Sequence, residues 1–184
     1  MKTLYTICIG LFLLLITGAF MQNQQRPIVI LEISQGTNYQ GKIKIELMQD
    51  VAPKACENFL ALVKKKYYQG VIFHRVIPGF MIQGGDPTGT GRGGESIWGR
   101  PFEDECDELQ LQKIAFTESG LLAMANRGPN TNGSQVFITT APATWLNGRH
   151  TIFGKVIAGM DIVTMIELSN NNASDFPLDD QVIS

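Results

Sequence analysis

At 184 residues, 44% of them hydrophobic and 17% charged, the chain suits one domain with a real core and excludes a disordered or fibrous polypeptide. Lys and Arg number 15 against 17 Asp and Glu, a formal charge of −2, so there is no basic footprint for nucleic acid. The two histidines and three cysteines form no C-x-x-C or other ligand spacing, which argues against a metal site.

The chain opens with Lys2, an apolar centre at Leu11–Ile16 and the small-residue exit Thr17-Gly18-Ala19. That order describes a secretory signal peptide over residues 1–19. The run Leu4–Met21 is 18 residues long, close to the roughly 20 that span a bilayer, so an uncleaved anchor to about residue 21 is the alternative. Residues 20–26 read as a short linker and 27–184 as the folded domain. Export follows, with a periplasmic or secreted protein expected and the endoplasmic reticulum lumen as the alternative. A membrane is a partner only if the segment stays uncleaved.

Ile28–Ile33 and Lys42–Leu47 are strand-like, with Gly36, Asn38 and Gly41 marking the turn between them. Pro53 opens a helix whose apolar stripe is Cys56, Phe59, Leu60 and Val63. Cys56 on that stripe reads as a small core residue. Lys64-Lys65-Lys66 sits at the helix end, where cations complement the helix dipole on a solvated face. Phe73–Asp86 then reads as two short strands joined by Pro78-Gly79. Within it Arg75, Gln83 and His74 stand among Phe73, Ile77, Phe80, Met81 and Ile82. Apolar walls with a few polar groups make a ligand pocket; the plainer reading is a core hairpin with Arg75 reaching to solvent. Alternation puts Met81 and Gln83 on one face and Phe80 on the other.

Gly89–Gly94 matches G-x-G-x-x-G, but no helical pattern follows to receive a pyrophosphate, so it reads as a flexible loop. Phe102–Glu105 is an acidic loop. Gly120–Ala125 and Gln135–Thr139 read as strands either side of a polar loop, and Thr151–Ile157 as another. Ile162, Met165 and Ile166 mark a second short helix. Many short strands with two helices suit a mainly β protein built as a closed antiparallel barrel capped at its ends.

Four stretches carry a resemblance: Phe73–Asp86 (FHRVIPGFMIQGGD), Gly91–Ile97 (GRGGESI), Met124–Phe137 (MANRGPNTNGSQVF) and Trp145–His150 (WLNGRH). In this order they resemble the cyclophilins, the cyclosporin-binding peptidyl-prolyl cis/trans isomerases, from about Pro27 to the end. The resemblance implies a closed eight-stranded barrel with a helix at each opening. It also implies a monomer that acts on proline-containing polypeptides, binds cyclosporin and needs no cofactor. It carries catalytic roles to Arg75, Phe80, Gln83 and His150. Met81, Ala125, Asn126, Gln135, Phe137, Trp145 and Leu146 become substrate-binding residues, with Trp145 the cyclosporin contact. Arg75 would be the fixed cationic donor to the prolyl nitrogen, Gln83 a donor to the carbonyl before proline, and His150 a packing and orienting group. His74 would satisfy a loop hydrogen bond. The same groove also admits a second reading, a proline-peptide binding module or chaperone with incidental turnover.

Three features depart from the family pattern. Arg127 stands where a small residue is common, and a long cation there would narrow the groove or favour acidic substrates. Val136 replaces an aromatic. The closing segment Asp180–Ser184 is short, which would leave part of its neighbour unpaired. Asn132-Gly133-Ser134 and Asn172-Ala173-Ser174 fit the N-glycosylation pattern. A glycan on Asn132 would crowd Gln135, a hint toward a periplasm.

Overall fold

The structure, a computed structural model, describes residues 25–184; the expected signal or anchor and most of the linker lie outside the described residues. Eight strands form one sheet: β1 (Ile28–Gln35), β2 (Asn38–Leu47), β3 (Arg75–Ile77), β4 (Met81–Gly84), β5 (Leu121–Met124), β6 (Val136–Thr139), β7 (Ile152–Ala158) and β8 (Gln181–Ile183). The helices are α1 (Pro53–Lys64), the single turn α2 (Glu108–Leu111) and α3 (Met160–Glu167), with a 3-10 turn at Thr144–Leu146. All pairings are antiparallel, in the order β3-β4-β6-β5-β7-β2-β1-β8.

The expected closed barrel is an open half-barrel. The terminal strands β3 and β8 share no ladder. β8 instead bonds the bent segment ahead of β3: Phe73 N–H donates to Gln181 O at 3.1 Å and Ile183 N–H to Val71 O at 2.9 Å. The outer edge of β3 is taken by the loop after α3. There Val76 N–H donates to Asp175 O at 2.8 Å, and Asn171 Nδ2 donates to Val76 O at 2.8 Å. Satisfying an edge with a loop is one way a sheet avoids an exposed ladder without closing.

The sheet has apolar residues on both faces. Inside, Ile43, Ile45, Leu47, Ile82, Leu122, Met124, Ile138 and Phe153 pack with Phe59 of α1. Outside, Met81, Leu121, Ala123 and Phe137 join Phe116, Ala143 and Ile152 in a second cluster. This is why all four residues of β5, and all four of β6, are buried.

The buried face of α1 is Ala55, Cys56, Phe59 and Leu62, with Asn58; Leu60 and Val63, expected on the stripe, are only half-buried. The shift follows from what Asn58 does. Its Nδ2 donates to Gly133 O at 2.8 Å and its Oδ1 accepts from Ile97 N–H at 2.9 Å, so a polar residue faces inward to pin two loops. Ala52, which precedes α1, offers no side-chain cap. The carboxylate of Glu105 caps it instead, accepting from Ala55 N–H at 2.9 Å and Lys54 N–H at 3.1 Å. Lys64, Lys65 and Lys66 are solvated, and Cys56 and Cys106 are buried free thiols.

Candidate active site

Register builds the site. Arg75 on β3 lies opposite Gln83 on β4, Gln83 opposite Phe137 on β6, and Phe137 opposite Ala123 on β5. The four form one row across the outer face, where directly opposed side chains touch. Met81 occupies the next row, opposite Ile77 and Thr139. Phe80 does not belong to β4 at all. It sits in the Pro78-Gly79 turn, where Gly79 adopts a φ of 71° and Phe80 N–H donates to Ile77 O at 3.1 Å. From the turn its ring meets Trp145 at a centroid distance of 5.5 Å. Strand alternation therefore places no bar between Phe80 and Met81.

The apolar half is braced from behind. Phe137 stacks on the fully buried Phe116 at 5.9 Å and takes the edge of His150 at 5.5 Å. The His150 Nδ1 lies 3.0 Å from Met124 O. A carbonyl only accepts, so Nδ1 carries a proton and donates to it. Phe80, Ala125 and Leu146 pack onto this cluster, and Trp145 stands at the rim, 58% exposed.

The polar half is a groove of about 480 Å³ lined by Arg75, Gln83, Ala125, Asn126, Arg127 and Gln135, among others. Gln135 Nε2 donates to Gly93 O at 2.8 Å and to Gly91 O at 3.1 Å, while its Oε1 accepts from Gln83 Nε2 at 2.9 Å. One N–H of Gln83 is left free of that chain. Asn126 uses its side chain for support: Nδ2 donates to Arg149 O at 2.8 Å and to Asp104 Oδ1 at 3.4 Å. Arg75 is exposed, with Nε 4.0 Å from Asp175 Oδ2.

The Gly89–Gly94 loop is tied down, not loose. Asp86, fully buried, accepts from Thr88 N–H and Oγ1 at 2.8 Å and from Gly93 N–H at 3.0 Å. Burial opposes its charge, but the Gly93 and Thr88 donors outweigh it and hold the carboxyl below its ordinary range. His74, expected to bond a loop, makes no hydrogen bond through either ring nitrogen and is 5% exposed in the groove wall. Burial holds its pKa below the ordinary imidazole value, against the pull of Asp86.

The family model for "cyclophilin type peptidyl-prolyl cis-trans isomerase/CLD" matches residues 29–184. The chain belongs to the cyclophilin family. Peptidyl-prolyl cis-trans isomerase ppi1 of Schizosaccharomyces pombe is 55% identical over 139 residues, 76% of this chain and 87% of that protein. The human peptidyl-prolyl cis-trans isomerase-like 1 is 52% identical over 156 residues, 85% of this chain and 89% of that protein. A crystal structure of a Cryptosporidium parvum cyclophilin type isomerase, in the presence of the dipeptide Ala-Pro, superposes with a TM-score of 0.78 at 44% identity. It covers 85% of this chain and 95% of that one.

This cyclophilin brings Arg75, Met81, Gln83 and Phe137 together on one outer face, with Phe80, Ala125, Trp145, Leu146 and His150 around the apolar half and Asn126 and Gln135 along the groove. Phe116, Asp104 and Asp175 also shape the site, and no local pattern marked them. The acidic run Glu103-Asp104-Glu105 was the nearest signal. Asp104 gathers the far loop: Oδ1 accepts from Asn132 Nδ2 at 2.8 Å and Oδ2 from Asn130 N–H at 2.8 Å.

Proposed function

We propose that this cyclophilin accelerates rotation about X–Pro peptide bonds without a covalent intermediate, with Arg75 stabilising the twisted amide. The observation that carries the reading is the row Arg75–Gln83–Phe137, a guanidinium and an amide set beside an apolar shelf. The uncatalysed barrier of about 18–20 kcal/mol comes from the partial double bond. Twisting localises a lone pair on the prolyl nitrogen, and a permanently charged donor favours that state over either planar form. A thousandfold acceleration needs about 4 kcal/mol, the scale of one preorganised donor once a bound substrate shields it from water. Phe80, Met81, Phe137 and Leu146 hold the proline ring. The free N–H of Gln83 serves the preceding carbonyl, the backbone at Asn126 docks the chain, and the edge of His150 fixes Phe137. Arg75→Ala should lower kcat/KM by about two to three orders of magnitude. The half-exposed side chain should leave the melting temperature close to wild type. Equal rates for the two proteins would defeat the mechanism.

The wider setting belongs to the same proposal. A cleaved signal at residues 1–19 would send the enzyme to fold exported chains, where prolyl steps of tens of seconds limit folding. The buried Asn132 already donates its amide to Phe102 O and Asp104, which suits a compartment without N-glycosylation. The mass of the native protein checks both points: a full-length or glycosylated chain contradicts them. Cyclosporin would lie against exposed Trp145, and a titration that leaves tryptophan fluorescence unchanged counts against it.

A further inference from the structure

The groove carries a charge that the rest of the molecule does not. The protein is net negative, yet none of the groove-lining residues is a carboxylate, while Arg75 and Arg127 both are cations. Their circumstances differ. Arg75 faces Asp175. Arg127 is exposed and forms no ion pair among the described residues. Its base is fixed, because its N–H donates to Thr131 Oγ1 at 2.8 Å, and Thr131 Oγ1 in turn donates to Gly128 O at 2.7 Å. Its guanidinium reaches across the groove to one carbonyl, with Nη2 donating to Gly91 O at 3.4 Å. A long contact to a neutral acceptor leaves most of the planar fork unused.

Burial holds the His74 pKa below its ordinary value, which disfavours a further cation in the same wall. Asp104, which gathers the loop that carries Arg127, is spent on Asn126, Asn130 and Asn132. Among the described residues Arg127 is therefore an unpaired cation in a groove whose lining includes no carboxylate.

We infer that Arg127 sets substrate preference by taking an acidic side chain two residues before the proline. The inference rests on the isomerase reading for its frame: proline on the Phe80–Phe137 shelf, and the chain before it running along Ala125 and Asn126. Ala125 packs on that shelf, and Arg127 lies two residues further on. An extended substrate advances by about 3.3 Å per residue, so its second residue before proline falls beside the Arg127 fork. The recognised chemistry is a carboxylate on a neutral or acidic segment, with lysine at that position repelled.

The test uses three N-acetylated peptides, Glu-Ala-Pro-Phe, Ala-Ala-Pro-Phe and Lys-Ala-Pro-Phe. Their kcat/KM is measured at low ionic strength with wild type, Arg127→Ala and Arg127→Glu. Wild type should favour the Glu peptide over the Lys peptide by about fivefold, the scale of an exposed pair gained and an exposed repulsion removed. The ratio should collapse toward one in Arg127→Ala, invert in Arg127→Glu, and shrink at about 1 M salt, where the screening length is about 3 Å. A wild-type ratio near one, or a ratio unchanged by Arg127→Ala, overturns the proposal. The Kd ratio of the same peptides, read by tryptophan fluorescence, reports the charge preference without turnover. A Kd ratio that follows Arg127 while no peptide is isomerised faster than in buffer sinks the catalytic reading and keeps this one.

Discussion

Removing the Asp104 carboxylate should loosen the substrate loop before it unfolds the protein. In wild type, Asp104 accepts from Asn132 Nδ2 at 2.8 Å, Asn130 N–H at 2.8 Å and Asn126 Nδ2 at 3.4 Å. Hydrogen bonds to a charged group contribute about 1.5–3 kcal/mol each when well buried. Here Asp104 is half-exposed, and two donors keep other acceptors: Asn132 Nδ2 still has Phe102 O at 3.1 Å and Asn126 Nδ2 still has Arg149 O at 2.8 Å. Asp104→Ala should therefore cost about 2 kcal/mol in all, not the sum of three bonds. For a domain of this size that is a fall of roughly 4–8 °C in Tm. The kinetic effect should fall on binding, because the loop contributes Asn126 and Arg127 to the groove and nothing to the Arg75 row. A rise of about tenfold in KM with kcat within a factor of two is expected, since small misplacements of docking groups are costly. The assays are thermal denaturation followed by circular dichroism, and peptide isomerisation across a range of substrate concentrations. A variant with the expected loss of Tm and an unchanged KM would refute the link between Asp104 and the groove.

Two further outcomes follow from titrating and nucleophilic groups. His74 has a folded pKa below its ordinary 6.5, so the unfolded chain takes up the proton first as pH falls. Its contribution is complete above about pH 6.5 and is lost progressively below it; urea midpoints for wild type should show this decline, and His74→Gln should flatten it, whereas parallel curves would contradict it. Burial pushes the Cys56 thiol up to about 12, so at pH 8 the folded protein should resist alkylation there over hours while the denatured protein reacts at once; rapid native labelling of Cys56 would count against its burial.

The strands and the long motifs were legible because each rests on local chemistry. Pro78-Gly79 forces a turn, Ile43, Ile45 and Leu47 alternate with polar neighbours, and Pro53 starts a helix. The grouping of Arg75 with Gln83 follows once that turn is granted, since a hairpin fixes its own register. What was not legible depends on distant partners. β5 and β6 are apolar on both faces, so nothing in their pattern says which side chains look outward. The stripe of α1 was right at Cys56 and Phe59 but missed Asn58, which is buried because it bonds two loops far along the chain. The barrel was expected to close because many short strands with two helices suit closure and the family resemblance points the same way, while the seam depends on which backbone groups 70–73 and 171–175 happen to reach. Phe116 and Asp104 act from outside every motif.

The cap of α1 bears on the order in which this chain matures. Its first turn is closed by Glu105, a residue about fifty positions downstream. A twelve-residue helix is marginal alone in water. The segment 53–64 therefore lacks this cap until the acidic stretch has been synthesised and has folded back onto it. The loop that carries Asn126 and Arg127 is fastened by that same stretch, through Asp104, so the helix cap and the groove loop share one acidic segment as their anchor.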